Sequence, residues 1–278
     1  TNGGRTAADP ETGAVRTLLV EESDTYLEPI DRLHQLAGGR QFLWSSERTG
    51  WRHLDLHDLS GGDGRPLTSG EWVTGDVVAI DEKRGWVFFR GATNLGLEQH
   101  LFRVGLDGRG LVQLTPEPGV HRVSVAPEGR YFLDLASALD RPPVGTLRDA
   151  DGKAIRQLST SDDRRIRELG LEPPELLTLT AADGRTPMHG ILYKPAGFDS
   201  TRRYPLIVSV YGGPHTKAVR NGYQTADFNA AVAQLGFLVA EFDGRGTLDR
   251  GKAWQAGNHL RMGQVDVDDQ AAAARQLG

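Results

Sequence analysis

The chain has 278 residues, of which 38% are hydrophobic and 25% charged, a composition typical of soluble globular protein and a length sufficient for two domains. Its 32 basic and 37 acidic residues give a net charge of -5 without a basic stripe, so neither nucleic acid nor a membrane surface is an expected partner. The absence of cysteine excludes disulfides, thiolate metal sites and a cysteine nucleophile.

Localisation stays open between periplasm and cytoplasm. No run approaches the roughly 18 apolar residues that a membrane span needs, and the first residues have no signal-peptide pattern, so any export signal is expected upstream. Nearly all the basic residues are arginine, a bias that fits a GC-rich bacterial source.

The first 160 residues contain a repeat. Residues 1–20 end in a strand-like run, and three segments follow at a period of about 45 residues. Each segment has a Gly/Arg turn before a strand-like run and closes on a Leu-Thr or Leu-Ser pair. The turns are Gly39-Arg40, Arg84-Gly85 and Gly129-Arg130, and the closing pairs are Leu67-Thr68, Leu114-Thr115 and Leu158-Ser159.

Short strands separated by turn residues at this period are typical of four-stranded β-propeller blades. The sequence therefore predicts about three blades within residues 1–160, with residues 1–20 as the outer strand of another blade. A ring takes roughly four to eight blades, so we expect more propeller upstream. A β-sandwich with regularly spaced turns is the alternative interpretation.

A second domain is predicted after a charged linker over residues 161–174, which ends in Pro173-Pro174. Its elements, within residues 175–278, are a hairpin turning at Asp183-Gly184, a strand at 206–210 buried on both faces, a helix over 228–235, a strand over 237–242 and a helix over 265–277. The order strand, helix, strand predicts a parallel sheet. Asp266, Asp268 and Asp269 fall in the first turns of the last helix, where the helix dipole favours carboxylates.

Several motifs resemble the prolyl oligopeptidase family (serine peptidase family S9), in its bacterial dipeptidyl peptidase IV-like branch. Residues 204–214, YPLIVSVYGGP, and 242–247, FDGRGT, are similar to the opening of that family's catalytic domain. Residues 263–270 resemble the helix before its nucleophile strand, and residues 45–54 resemble its propeller. The resemblance covers essentially the whole chain. It implies the last propeller blades followed by the N-terminal part of an α/β-hydrolase domain.

The resemblance also implies a function. It implies a serine exopeptidase that hydrolyses peptide bonds after Pro or Ala near the N-terminus through an acyl-enzyme, with a Gly-x-Ser-x-Gly elbow followed by Asp and His. The chain contains no Gly-x-Ser-x-Gly, so we expect the triad beyond Gly278 and no activity from the chain alone. A peptide is the expected substrate, no cofactor or metal is expected, and a homodimer is compatible with the family.

Other functions stay open at this point. An oligopeptidase or acylaminoacyl-peptidase of the same family would share these motifs. A non-catalytic propeller that only binds a partner is the alternative from a different class. An esterase is a less favoured interpretation, because esterases rarely have a propeller before the hydrolase domain.

Tyr211 is the candidate site residue. The resemblance implies that its hydroxyl donates a hydrogen bond to the oxyanion, beside the backbone N–H that follows the serine. Gly212 and Gly213 would allow the loop to turn tightly, and Pro214 would fix φ. The alternative is that Tyr211 packs at a strand end, with its hydroxyl bound to backbone.

Asp243 and Arg245 are predicted to form a structural ion pair in a turn whose glycines have positive φ. His53 and His57 lie four apart in a strand without a third ligand, so zinc is not expected and both are interpreted as surface or interblade residues. His215 either lines the pocket or lies exposed on the loop.

Glu21-Glu22 is similar to the acidic pair with which dipeptidyl peptidases hold a substrate amino terminus. That pair lies in an earlier blade in the family, so Glu21 and Glu22 are assigned to a solvated turn.

Overall fold

A computed structural model describes residues 2–28, 33–211 and 216–278. Its first part, called the propeller part, consists of fourteen strands. These are β1 (Asn2–Ala8), β2 (Val15–Glu22), β3 (Leu33–Gln35), β4 (Gln41–Ser46), β5 (His53–Asp58), β6 (Arg65–Pro66), β7 (Val73–Asp81), β8 (Trp86–Thr93), β9 (Glu98–Gly105), β10 (Val112–Gln113), β11 (Val120–Val125), β12 (Tyr131–Ala138), β13 (Arg141–Asp149) and β14 (Ala154–Thr160).

These strands confirm the predicted blades. Strands β3–β6, β7–β10 and β11–β14 each form an antiparallel four-stranded blade in chain order, and a single parallel pair between Gln99 and Val120 joins the last two blades. The three predicted Gly/Arg turns are present, and Gly39, Gly85 and Gly129 all have positive φ.

Residues 1–20 were predicted as one outer strand, and this was wrong. Residues 2–20 belong to a hairpin of two strands, β1 and β2. The Asp9 carboxylate accepts hydrogen bonds from the N–H groups of Glu11 and Thr12, and Gly13 adopts φ of 72°, so the chain reverses there.

Apolar cores lie between the blades. Successive residues of a strand point to opposite faces, so Phe89 joins the core shared with the preceding blade, and Phe88 joins the core shared with the following one. Leu67 and Leu114, from the repeated closing pairs, are buried in these two cores. The third closing pair differs, because Leu158 is 53% exposed on the outer strand β14.

The second part is a mixed sheet with short helices. After α1 (Arg164–Glu168), which falls within the predicted linker, its elements are β15 (Glu175–Thr180), β16 (Pro187–Tyr193), β17 (Leu206–Val208), α2 (Phe228–Ala233), β18 (Leu238–Asp243), α3 (Lys252–Gln255) and α4 (Val265–Arg275). The strand order is β15-β16-β18-β17, with β17 and β18 parallel and the other pairs antiparallel. The predicted hairpin, the parallel pair and both helices are present.

The expectation that residues 206–210 are buried on both faces was wrong. Strand β17 lies at the edge of the sheet among the described residues, and it ends at Val208. Ile207 and Val210 are therefore partly exposed.

The two parts share a core. Leu97 and Leu139 of the propeller part pack with Ile191, Val219 and Ala230 of the second part. Within the described ranges no helix is both apolar and long enough to cross a membrane.

A repeated buried hydrogen bond supports a test of the blade interior. The Thr115 hydroxyl accepts from the N–H of Leu101 at 3.0 Å, as Thr68 accepts from Leu54 in the preceding blade. Thr115→Val keeps the shape but leaves a buried donor unpaired, so we expect the free energy of unfolding to fall by about 1–3 kcal/mol in urea denaturation followed by tryptophan fluorescence.

Thr68→Val should give a similar loss. Thr160→Val, at an exposed position of β14, is the matched control and should change stability by less than about 0.5 kcal/mol. Wild-type stability in Thr115→Val would show that this bond does not stabilise the blade.

The outer face of the third blade generates a second prediction. Alternate residues of β12 form an exposed apolar row on it, namely Tyr131, Leu133 and Leu135, and the outer strand β14 adds exposed Ile155 and Leu158. An uncovered apolar face of this kind promotes association, so the 278-residue chain expressed alone should self-associate in sedimentation velocity, and Leu133→Glu should weaken the association. Leu169→Glu, an exposed leucine outside this face, should not. A stable wild-type monomer of 30.3 kDa would contradict the prediction.

Candidate functional site

Tyr211 lies just beyond the carboxyl end of β17. The strand pairs with β18 through Val208 and Ala240, and the N–H of Ser209 still donates to the Ala240 carbonyl at 2.8 Å. The chain then leaves the sheet, and Tyr211 is 64% exposed. Its ring is therefore presented to solvent at the strand end rather than packed in the core.

The rest of the predicted oxyanion loop cannot be placed. Gly212, Gly213, Pro214 and His215 lie outside the described residues. Their roles stay predictions.

The chain returns to the sheet at Ala218 and Val219. Their N–H groups donate to the two carboxylate oxygens of Asp243, at 2.9 and 3.0 Å. Asp243 is the last residue of β18, and Val219 is fully buried in the shared core. One carboxylate thus fixes the end of the segment that begins with Tyr211.

Burial controls the electrostatics around Asp243. It raises the pKa of this carboxyl to about 6, although the two N–H donors and the positive charges of Lys217 and Arg250 act in the opposite direction. His189 lies opposite Asp243 on β16. Burial, with Arg250 and Lys217 in support, lowers the pKa of His189.

The predicted ion pair between Asp243 and Arg245 was wrong. Arg245 instead binds Asp269 of α4, with Nε to Oδ2 at 3.0 Å and a terminal nitrogen to Oδ1 at 2.7 Å. Asp269 is fully buried and also accepts from the N–H groups of Arg245 and Ala182. The Asp243 carboxylate already accepts hydrogen bonds from the N–H groups of Ala218 and Val219. Arg245 lies two residues further along, where its side chain reaches Asp269 of α4. Of the two glycines, only Gly246 has positive φ.

A second contact joins the two parts beside a cavity of about 450 Å³. The Lys252 ammonium of α3 binds the Glu47 carboxylate at 3.1 Å, donates to the Tyr26 carbonyl and lies 4.2 Å from the Tyr26 ring centroid. Glu21 and Glu22 line this cavity. They end strand β2 rather than a solvated turn, and Glu21 accepts a hydrogen bond from the Trp44 indole at 2.9 Å, so their assignment to a turn was wrong.

The histidine pair is buried rather than on the surface. His53 bonds Thr68 and the Gly70 carbonyl, and it packs edge-on against Trp72 in the interblade core. His57 stacks on Phe42 of its own blade, 5.2 Å between ring centroids. Burial lowers the pKa of both rings.

One buried cluster has metal-ligand chemistry. Ligand atoms of Glu117, His121 and Asp134 lie within 4.8 Å of one another. The Arg148 guanidinium binds both carboxylates, at 2.9 Å each, and Nδ1 of His121 donates to Asp134 at 2.8 Å. Because Arg148 binds both acids, the cluster is held together by hydrogen-bonded ion pairs.

Known proteins match this architecture along the whole chain. The family profile for the dipeptidyl peptidase IV (DPP IV) N-terminal region matches residues 5–143, and the profile for the prolyl oligopeptidase family matches residues 224–278. The chain belongs to the dipeptidyl peptidase IV-like branch of the prolyl oligopeptidase family. This confirms the resemblance inferred from its motifs.

Individual relatives agree with the family. A probable dipeptidyl peptidase 4 of Emericella nidulans is 28% identical over 96% of this chain and 37% of its own length. Human dipeptidyl peptidase 8 is 26% identical over 96% of this chain and 34% of its own. The chain thus spans little more than a third of these relatives.

Solved structures give the same result for the fold. A putative dipeptidyl aminopeptidase IV from Bacteroides ovatus superposes with a TM-score of 0.90 at 27% identity, over 99% of this chain and 42% of that one. Dipeptidyl peptidase 4 of Porphyromonas gingivalis superposes with a TM-score of 0.87 at 27% identity, over 99% of this chain and 39% of that one. The fold of partial propeller followed by the start of an α/β-hydrolase domain is confirmed.

Sequence reasoning missed the partners that organise this site. Asp269 lies 24 residues from Arg245, and Glu47 lies 205 residues from Lys252. The one available signal was Asp269, an acid inside an alanine-rich helix. A buried acid needs a partner, so this position indicated an ion pair without naming the partner.

The buried pair between Arg245 and Asp269 generates a prediction. Asp269→Ala leaves two backbone N–H groups without their acceptor and leaves the Arg245 guanidinium with only its longer contact to Asp183, at 3.3 Å, so we expect a loss of about 3 kcal/mol in unfolding free energy, measured by urea denaturation. Asp268→Ala, on the exposed side of the same helix, is the control and should cost less than about 0.5 kcal/mol. Equal stability of the two variants would contradict the structural role of Asp269.

Proposed function

We propose that the protein that carries this chain is a serine peptidase that removes short N-terminal units by cleaving peptide bonds after Pro or Ala. Family membership, together with an exposed Tyr211 at the carboxyl end of β17, supports this proposal. In this fold, residues at the end of that strand face the reacting carbonyl.

The proposed reaction is acyl transfer. A serine attacks the carbonyl carbon, a histidine takes its proton, an aspartate orients the histidine, and negative charge develops on the carbonyl oxygen. Tyr211 supplies a hydroxyl donor to that oxygen. No Gly-x-Ser-x-Gly occurs within the 278 residues, so in this proposal the triad comes from outside them.

The propeller part is proposed to limit the size of the substrate. Support comes from contacts between the blades and the segment that follows the Tyr211 loop. The N–H of Asn221 donates to the Leu97 carbonyl at 2.8 Å, and the Asn221 side chain accepts from the N–H of Leu139. Blade residues therefore border the chain segment next to the proposed oxyanion site.

The proposed domain limits are residues 1–160, 161–174 and 175–278. The last blade strand ends at Thr160 and the first strand of the second part begins at Glu175, which supports them. A peptide is the proposed substrate, without nucleic acid as a partner, and a homodimer is the proposed assembly.

The role of Tyr211 is tested in the full-length protein. Tyr211→Phe removes one donor aimed at charge that forms in the transition state, so we expect kcat to fall about 100- to 1,000-fold, or roughly 2.7–4 kcal/mol, with little change in KM. The exposed ring contributes little to packing, so Tm should stay within about 2 °C of wild type. Steady-state kinetics with a Gly-Pro chromogenic substrate and a thermal melt provide the measurements.

Two controls accompany this test. Tyr131→Phe removes a hydroxyl from an exposed tyrosine of the third blade and should leave kcat unchanged. The 278-residue chain expressed alone should show no turnover above buffer. Wild-type kcat in Tyr211→Phe would refute the oxyanion role, and absence of peptidase activity in the wild-type full-length protein would refute the proposed function itself.

A further inference from the structure

We propose that the propeller part contains a pH-sensitive device, in which a buried histidine–threonine pair holds each of two blade boundaries at neutral pH and releases it in acid. The pairs are His53 with Thr68 in the first blade (β3–β6) and His100 with Thr115 in the second (β7–β10). All four side chains are buried. The device acts on the blades themselves, whether or not the protein is a peptidase.

The pair in the first blade closes a chain of hydrogen bonds. The Thr68 hydroxyl oxygen accepts from the N–H of Leu54 at 3.0 Å, and it lies 3.0 Å from Nδ1 of His53. At the other side of the ring, Nε2 lies 2.8 Å from the Gly70 carbonyl. A carbonyl oxygen only accepts, so Nε2 donates this bond.

The second blade repeats the arrangement. The Thr115 hydroxyl oxygen accepts from the N–H of Leu101 at 3.0 Å and lies 3.2 Å from Nδ1 of His100, while Nε2 lies 3.2 Å from the Glu98 carboxylate. The sequence repeat accounts for this recurrence, because His-Leu and Leu-Thr both return after 47 residues. The repeated bonds thus have the same donors and acceptors at the backbone N–H, the hydroxyl and Nδ1.

Each pair lies where two blades meet. The His53 ring packs edge-on against Trp72, which directly precedes the first strand of the second blade, with 5.5 Å between ring centroids. The His100 ring lies 5.0 Å from that of His121 on β11, the first strand of the third blade. A change at either pair therefore affects the contact between two blades.

The partners make the neutral ring the best-bonded form. Nε2 carries a proton, because its carbonyl or carboxylate partner accepts. Nδ1 then accepts from the threonine hydroxyl, since among the described residues that hydroxyl has no other acceptor. A second ring proton, on Nδ1, would face the hydroxyl and leave the hydroxyl's own proton unpaired in a buried site. An unmade bond of this kind is costly, so the closed pair disfavours the charged ring.

The electrostatic surroundings of the two rings agree with their hydrogen bonds. Burial lowers the pKa of both His53 and His100. The neighbouring acids act in the opposite direction, Asp55 on His53 and Glu98 on His100, whereas His121 lowers the pKa of His100 further. The network joined to His121 contains the charged residues Glu117, Asp134 and Arg148.

The lowered pKa sets the direction of the pH effect. When a blade opens locally and its ring meets water, the histidine regains its ordinary pKa of about 6.5. Below that pH the open form binds a proton that the closed form does not, so acid favours opening. Above it the ring is neutral in both forms, and the contact has its full stability.

The first measurement needs no variant. In the wild-type full-length protein, hydrogen exchange at pH 7.5 and pH 5.5 should show the protection factors of the Leu54 and Leu101 amides fall by up to about tenfold, because one proton is bound on opening. The Ala126 amide, which donates to the Tyr131 carbonyl in the third blade, is the internal control and should keep its protection. Unchanged protection of both Leu54 and Leu101 would overturn the proposal.

The second measurement uses each blade as the control for the other. His53→Gln places a neutral amide, which can accept and donate, where the ring can titrate. The pH dependence of protection should then disappear at Leu54 and persist at Leu101. His100→Gln should give the reverse pattern, and Thr68→Ser, which keeps the hydroxyl, should keep the pH dependence at Leu54. Persistence at Leu54 in His53→Gln would contradict the role of His53.

His57 provides a matched control variant. It is buried four residues from His53 on the same strand, and burial lowers its pKa too, but within the described residues neither ring nitrogen has a hydrogen-bond partner. His57→Gln should therefore leave the pH dependence at Leu54 intact. If His57→Gln removed it as fully as His53→Gln does, burial of a histidine rather than its pairing with Thr68 would set the response, and the proposal would fail.

Discussion

Strand β18 is hydrogen-bonded on both sides, to β16 and to β17, and the candidate site depends on this pairing. Its backbone sets the register of β17, which ends three residues before Tyr211, and its last residue holds the chain where it returns at Ala218 and Val219. A buried carboxylate is costly unless its oxygens are bonded, and here the two N–H groups supply those bonds. The same arrangement therefore satisfies Asp243 and fixes the chain at Ala218 and Val219.

The propeller part holds this sheet in place by three different interactions. Leu97 and Leu139 enter the apolar core of the second part, Asn221 bonds backbone groups of the blades, and Lys252 binds Glu47 beside the 450 Å³ cavity. Burial of apolar surface stabilises the contact, whereas the directed bonds favour one orientation. The segment around Asn221, which follows the proposed oxyanion loop, thus lies between the two parts of the chain.

Local features of the fold could be predicted from the sequence, and distant pairings could not. The blades were predictable because each is made of consecutive hairpins, so turns such as Gly85 and Gly129 repeat at a fixed period. The exposure of Ile207 was missed because a continuous apolar run is common to edge and central strands. At the site, a motif pointed to Tyr211, but the partners of Asp243 and Arg245 depend on how loops return to the sheet, which no local pattern encodes.

The central claim is that β18 holds Tyr211 where charge develops on the reacting carbonyl. A crystal structure of the full-length protein with a covalently bound phosphonate, which mimics the tetrahedral intermediate, tests it most directly. The account predicts the Tyr211 hydroxyl about 2.7–3.1 Å from the phosphonyl oxygen, with both Asp243 oxygens still accepting from Ala218 and Val219. A phosphonyl oxygen bound by other donors, with Tyr211 turned to solvent, would contradict it.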